Sequence, residues 1–468
     1  MFELSSGQKH ALHCCLLLGT ILFFELQSGG IKLYYTDDDA GQFDPFVSYG
    51  YAFAWFLYLL RLLTLLSLPQ FLCNFFGLVL FNAFPEEPVS RRDDSKETLV
   101  TPFICIRTVT RGDFPDLIRR NVTRNIATCI DAGLQNFLFE VVTDKPFDIP
   151  KDSRIRLIVV PPNYKTKSGT LFKARALQYC LEADVNILGD NDWVVHLDEE
   201  TLLTCRSING IMNFVSDGRH QFGQGLITYA NEEVVNWWTT LADTFRVAED
   251  MGKLRCQFYL FHKPLFSWKG SFVVTKFQAE RDVSFDNGLD GSVAEDCYFA
   301  MVAFSKGYSF NFIEGEMWEK SPFTLADFLQ QRKRWVQGIY LVVHSRHIPL
   351  PVKFLLSLSL YAWLTMPLTI FNLVFASVYP LPPSYWCNFW STFIAAASFY
   401  MYIFGVFKSF TVRQIGLKRY AFLIAGALFT IPFNVIIEIT AVIWGIFSKK
   451  HKFYIVQKQI NRPEVLPV

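Results

Sequence analysis

Gln331, Arg334 and Trp335 are spaced i, i+3 and i+4 in the run Gln331-Arg332-Lys333-Arg334-Trp335. On a helix they share one face. An amide, a guanidinium and an indole on one face suit an anionic leaving group beside a flat, hydroxyl-rich substrate. The run precedes a long apolar stretch, so a cationic juxtamembrane helix that binds acidic lipid heads accounts for the same residues. Within it, Arg332 and Lys333 are expected to face headgroups and Arg334 a phosphate.

Other residues offer complementary chemistry. Asp198 and Glu200, two apart in Asp198-Glu199-Glu200, can hold a hard divalent cation such as Mg2+ or Mn2+, or form a plain acidic turn. Asp144, before Lys145-Pro146, can accept from a nucleobase or ribose, or merely make a turn. Lys173 follows Ser168-Gly169-Thr170 and opens a helix, a place suited to phosphate as well as to a solvated lysine. Glu295-Asp296 follows a polar, Gly-containing run at 286–292. Asp296 there can take a proton from a hydroxyl, or simply complement the helix dipole. Trp268 can stack on a sugar ring or pack in the core, and Gly270 permits close backbone approach.

These residues need elements to position them. Phe103–Ile106, Phe137–Val142, Ile155–Val160 and Trp193–Leu197 read as short apolar strands. Segments 114–132 and 171–183 between them have helical periodicity. Strand–helix alternation with apolar strands predicts an α/β domain with a mainly parallel sheet covered on both faces. Ligands in such sheets meet the carboxyl ends of the strands, where Arg107, Asp144 and Asp198 fall.

The flanks read as membrane. Hydrophobic residues make up 51% and mean hydropathy is +0.22, high for a soluble chain, and the net charge of +1 gives no general affinity for nucleic acid. The expected organisation is an N-terminal anchor at 1–96, a catalytic domain at 97–345, and a C-terminal membrane region with a tail at 346–468. Residues 11–27 and 47–68 are candidate spans, with Arg61 snorkelling to an interface and 71–84 lying as a short interfacial helix. Segments 354–379 and 386–407 are two further spans. Segment 421–447, with basic residues on both sides, is read as a re-entrant hairpin bent at Pro432 ahead of a single crossing. Asp37, Asp38 and Asp39 before the second span, and Arg91 and Arg92 after it, place the central domain in the cytosol. The sequon at Asn121 would then never meet the glycosylation machinery. Ten cysteines without a Cys-x-x-Cys pair fit a reducing compartment and no zinc site.

Taken in order, a strand-end Asp, a helix-opening Lys, an Asp-x-acid, a Glu-Asp and a Gln-x-x-Arg-Trp before a span resemble the inverting, GT-A-fold glycosyltransferases of family 2. The resemblance covers roughly residues 100–345. One departure stands out: the usual Asp-x-Asp is here Asp198-Glu199-Glu200. The segments 106–112, 196–201, 294–299 and 331–338 look in particular like the egghead-type β-1,4-mannosyltransferases of invertebrates. That resemblance implies transfer of mannose from GDP-mannose to glucosylceramide in the bilayer, with inversion, at the endoplasmic reticulum or Golgi. It implies Asp296 as general base, with Glu295, Gln331, Arg334 and Trp335 as its catalytic neighbours. It implies Arg107, Thr108, Asp144, Lys173 and Asp198 at the donor, Trp268, Gly270 and Trp335 at the acceptor, and a divalent cation on Asp198 and Glu200. A processive polysaccharide synthase is the alternative within the superfamily; a membrane receptor or transporter is the alternative outside it.

Overall fold

The computed structural model describes residues 4–28, 43–88, 102–230, 234–450 and 458. The charges at Asp37–Asp39, Arg91 and Arg92 lie outside the described residues. The chain forms two compact units, one of Met1–Glu86, Leu241–Ser267 and Ile339–Lys449, the other of Glu87–Thr240, Trp268–Gly338 and Lys450–Val468.

The second unit is built on seven strands: β1 Ile104–Thr110, β2 Phe137–Thr143, β3 Ile155–Val159, β4 Trp193–Leu197, β5 Phe222–Thr228, β6 Val273–Lys276 and β7 Phe310–Trp318. Their order across the sheet is β3-β2-β1-β4-β6-β5-β7. β1 to β4 run parallel, as does the β5–β7 pair. β6 is antiparallel to both neighbours, β4 and β5. The sheet is therefore mixed, with one reversed strand inside the mainly parallel arrangement that the sequence predicts. β1, β4 and β5 are buried almost throughout; in β1 and β4 this goes with largely apolar, β-branched runs, whereas β5 carries Gly223, Gln224 and Gly225.

The helix Pro115–Asp131 starts with a proline, whose missing N–H costs nothing there, and carries Asp116 in its first turn. Its buried residues Leu117, Ile118, Asn121, Val122, Asn125, Ile126 and Cys129 repeat at helical spacing. Asn121 and Asn125 face inward for a reason. Asn121 Nδ2 donates to the Glu199 carbonyl at 2.9 Å, and Asn125 Nδ2 to the Thr201 carbonyl at 3.0 Å. Asn125 Oδ1 also accepts from Leu203 N–H at 2.9 Å. The helix thereby anchors the loop after β4. The sequon asparagine is a buried structural residue.

A row of charge crosses the same sheet. Arg156, Glu140, Arg107 and His196 are cross-strand neighbours on β3, β2, β1 and β4. Arg107 Nε meets Glu140 at 2.9 Å and its Nη1 meets Glu280 at 3.2 Å; Arg156 meets Glu140 at 2.8 Å and His196 meets Glu280 at 2.6 Å. Glu280 comes from the helix Phe277–Val283.

The first unit holds the apolar helices. Among the described residues, Ser6–Gln27, Tyr51–Leu80, Tyr385–Ser409 and Leu417–Phe447 are each long and apolar enough to cross a membrane, and a bent pair can supply a fifth span. Four details differ from the sequence reading. The expected interfacial helix at 71–84 is Leu68–Leu80, the second half of a 30-residue apolar stretch whose turn at 64–67 carries no charge. The expected span at 354–379 is two helices, Leu350–Leu364 and Met366–Val378, bent by 55°. Pro367 opens the second and cannot continue the first. The expected hairpin at Pro432 is one continuous helix, Leu417–Phe447; membrane helices tolerate an internal proline when neighbouring groups satisfy the freed carbonyl. Arg61 donates to the Pro382 carbonyl at 2.8 Å, where the sequence suggested snorkelling to an interface. Helix Ser6–Gln27 packs on Tyr385–Ser409 through His13, whose Nδ1 meets the Tyr400 hydroxyl at 2.7 Å.

Candidate active site

Asp198 leaves the carboxyl end of β4, and Lys173 stands in the first turn of the helix Phe172–Tyr179. The loop before that helix is pinned from across the site: Asp286 accepts from Ser168 N–H and Thr170 Oγ1, both at 2.9 Å, and Ser292 Oγ accepts from Leu171 N–H at 3.0 Å. The polar run at 286–292 is thus a brace. Phe172 takes a positive φ of 56°, and Phe272, across the site beside Ser271, one of 51°. Strained non-glycine backbone of this kind persists only where surrounding contacts impose it.

The brace aims Lys173. Its Nζ donates to Asp198 Oδ1 at 2.6 Å and to the Gly270 carbonyl at 3.1 Å, and lies 3.8 Å from Glu295 Oε1. Gly270 forms the wall: a Cβ there would sit 3.1 Å from Lys173 Nζ and 3.3 Å from Asp296 Oδ2. Asp198, Lys173, Gly270, Glu295 and Asp296, scattered over more than a hundred residues, therefore converge. Ser271 Oγ accepts from Asp198 N–H at 3.2 Å and contacts Thr201 Oγ1 at 2.7 Å. Asp296 opens the helix Glu295–Ser305 and accepts from Cys297 N–H at 2.7 Å, which leaves its other oxygen toward Gly270.

The electrostatics are uneven. Burial opposes the charge on Asp198, but Lys173, Lys458 and Arg334 outweigh it and bring its pKa down to about 2. Burial pushes Glu295 up to about 7, helped by the like charge of Asp296. Asp296 is also raised, by burial and then Asp198, against the pull of Cys297 N–H, Lys173 and Arg334. Glu200 is raised by burial and its acidic neighbours despite Lys458. Lys173 is buried yet held charged, its pKa raised by Asp198 and Glu295. Carboxylates with perturbed, divergent pKa values in one cluster are the mark of a working site.

Two residues of this cluster escape sequence reading. Glu319, just beyond β7, accepts from Thr201 Oγ1 at 2.6 Å; burial, then Glu200 and Asp198, push it up to about 7. It reaches the site because Leu202 and Trp318 pair antiparallel. Lys458, far along the chain, pairs with Glu199 and Glu200. The only local signal for Glu319 is an acid directly after the mixed run Phe310–Trp318, which is weak; Lys458 gives none.

The helix Leu325–His344 carries the Gln-x-x-Arg-Trp residues. Arg334 acts on the charges of both Asp198 and Asp296. Gln331 presents a buried amide oxygen that has no hydrogen-bond partner among the described residues. Arg332 does not face headgroups: it is 3% exposed, its guanidinium 4.3 Å from the Phe328 ring centroid and 4.5 Å from that of Trp335. It is a cation–π prop that fixes the Trp335 indole.

Other expected site residues sit elsewhere. Arg107 is 1% exposed inside the charged row, and Thr108 beside it is buried. Asp144 is at the β2 end as expected, held by Arg175 Nη2 at 2.5 Å. Trp268 is 5% exposed and packs edge-on against Phe310 at 5.0 Å, so its ring belongs to the core.

Asp198, Glu199, Glu200 and Glu319 offer hard oxygen donors whose negative charge exceeds that of the lysines facing them, and this set fits a hard divalent cation. Residues 193–408 match the model of the glycosyl transferase family group 2. The Drosophila melanogaster "Beta-1,4-mannosyltransferase egh" is 63% identical over 98% of this chain and 99% of its own. The chain belongs to this glycosyltransferase family. The Caenorhabditis elegans "Beta-1,4-mannosyltransferase bre-3" is 57% identical over 97% of this chain and 98% of its own, and its Caenorhabditis briggsae counterpart 56% over the same shares. The crystal structure of S. aureus TarS 1–349 covers 72% of this chain at 11% identity, with a TM-score of 0.33 that adds nothing to the sheet order. The enzyme is thus a mannosyltransferase with a GT-A-like mixed sheet and several long apolar helices.

Proposed function

We propose that the enzyme moves mannose from GDP-mannose to the glucose of glucosylceramide, with inversion, to give mannosyl-β-1,4-glucosylceramide. The observation that carries the reading is the meeting of Asp296, Lys173 and Asp198 beside Gly270, with Arg334 near enough to act on the charge of both acids, in a chain 63% identical to a β-1,4-mannosyltransferase. Asp296 takes the proton from the acceptor hydroxyl. The hydroxyl oxygen attacks the anomeric carbon from the face opposite the nucleotide; one C–O bond forms as the bond to the diphosphate oxygen breaks, which inverts the centre. Lys173 and Arg334 face the developing negative charge on the diphosphate. Asp198 and Glu200 would hold a Mg2+ or Mn2+ ion, which supplies further charge neutralisation to the leaving group when bound. Asp144 is placed to hold the nucleoside, and Gln331 and Trp335 to shape the acceptor pocket. Arg107 and Thr108, inside the sheet, hold the strands that aim these groups; Trp268 backs the wall that Gly270 completes.

A ceramide tail keeps the acceptor in the bilayer, which is the use of the apolar helices. The catalytic domain is proposed to face the cytosol at the endoplasmic reticulum or Golgi, supported by Arg91 and Arg92 after the second span. The test is incubation of detergent-purified protein with glucosylceramide and either GDP-mannose or UDP-sugars, read by mass spectrometry. One hexose should be added from GDP-mannose alone, with a β anomeric signal by NMR. Transfer only from a UDP-sugar, or a long polymer product, overturns the reading.

A further inference from the structure

Both carboxylates assigned to the cation already carry an ammonium. Lys173 sits on Asp198 at 2.6 Å. Lys458 hydrogen-bonds Glu200 Oε2 and lies 3.1 Å from Glu199 Oε1. The two lysines are held differently. Lys173 is fixed by its helix and also donates to the Gly270 carbonyl at 3.1 Å. The hydrogen bond and ion pairs of Lys458 all go to carboxylates. Glu199 is anchored independently by Thr110 Oγ1 and through its backbone by Asn121, so it stays in place whichever cation it faces.

We infer that the Lys458 ammonium and a divalent cation are alternative occupants of the Glu199–Glu200 carboxylates. The inference rests on the proposed cation site. Two cationic centres cannot share carboxylate oxygens at ion-pair distance without strong repulsion. The ion, with twice the charge and room for several oxygen ligands, would take the place of the Lys458 ammonium on Glu199 and Glu200. Lys458 thereby sets how much cation the enzyme needs, and keeps Glu200 compensated when no ion is bound.

Calorimetric titration of the full-length, detergent-solubilised protein with MnCl2, without nucleotide, tests this. K458M should bind Mn2+ about tenfold tighter than wild type, while K458R stays within about threefold of it. Equal or weaker binding by K458M overturns the inference. E200Q separates the two levels. If E200Q weakens Mn2+ binding and K458M leaves it unchanged, the lysine inference fails and the cation site stands; if E200Q has no effect, both fail. A second measurement needs no variant. Labelling of Lys458 by an amine-reactive reagent, read by peptide mass spectrometry, should rise several-fold with Mn2+ relative to chelator. No rise overturns the exchange.

Discussion

Two groups of charge share one sheet and behave in opposite ways. The row Arg156–Glu140–Arg107–His196, closed by Glu280, lies between the strands and their covering helix, each charge facing an opposite one. The cluster at the strand ends crowds Asp198, Glu199, Glu200, Glu295, Asp296 and Glu319 around Lys173, Lys458 and Arg334. In the row, burial raises the carboxyls but the cations win, and Glu140 and Glu280 are lowered. In the cluster the cations win at Asp198, but burial and like charges win at Glu200, Glu295, Asp296 and Glu319, which are raised. A compensated row serves the fold. An overcharged cluster holds groups away from their ordinary titration, the pattern that the proposed catalysis and ion binding call for.

Single substitutions should split these roles cleanly. Asp296→Asn removes the base and should cost about 10²–10⁴ in kcat. Donor binding and melting temperature should hardly move, because the amide keeps the volume and can still accept from Cys297 N–H. Turnover near wild type would break the assignment. Arg107→Met should do the reverse. It leaves Glu140 and Glu280 without their shared cation, and breaking a buried pair costs about 3–5 kcal/mol. The melting temperature should fall well below that of wild type, while KM for donor in the folded fraction stays near it. A large KM rise with unchanged stability would instead put Arg107 at the nucleotide.

That contrast also explains what was legible in the chain. Asp198 and Asp144 were placed at strand ends because apolar runs and turn residues are local signals, and β2 and β4 fall almost where the pattern puts them. Gln331 and Arg334 were legible because helical spacing is local too. Arg107 was not. It follows an apolar run like a strand-end residue, yet β1 continues to Thr110, and its partners Glu140 and Glu280 are 33 and 173 positions away. Registers between strands decide that, and no single stretch encodes them. β5, β6 and β7 went unread for the same reason: β5 pairs with β7 across 88 positions at Phe222–Phe310, and β6 runs against the rest. Glu319 arrives through that pairing. Arg332 reads outward toward headgroups, yet it is buried with its guanidinium over the Phe328 and Trp335 rings. Pro432 was given too much weight as a breaker in a helix whose other residues favour continuing.

Acid should separate the two groups next. A carboxyl whose pKa is raised keeps its proton to higher pH, so the base form of Asp296 is lost as pH falls from neutrality. Activity should therefore begin to drop at a higher pH than an ordinary aspartate base would allow. Stability should not follow it. With Glu295 and Glu319 up at about 7, the folded state binds more protons than the unfolded one below that pH, and folding is favoured on acidification. Glu140 and Glu280 are lowered, so their contribution is fully present above the ordinary carboxylate range and fails only as pH falls below it. In chelator, the melting temperature should hold or rise from pH 8 to 5 while turnover declines. Parallel loss of both would mean that the raised carboxyls are not compensated as described.

The smallest expected effect lies at the wall. Gly270 is not among the positive-φ glycines, so alanine fits its backbone without strain. A Cβ there would sit 3.1 Å from Lys173 Nζ and 3.3 Å from Asp296 Oδ2. Both neighbours are ends of side chains, so each can give by a few tenths of an ångström, and the fold should be indifferent. The chemistry should be less so, because those two atoms are the ones proposed to meet the diphosphate and the acceptor proton. Gly270→Ala should leave the melting temperature within about a degree and lower kcat several-fold, a small part of the sensitivity that catalytic misplacement can show. Paired with Arg107→Met, it completes the contrast: a crowded methyl group in the cluster shows in rate alone, and a lost cation in the row shows in stability alone.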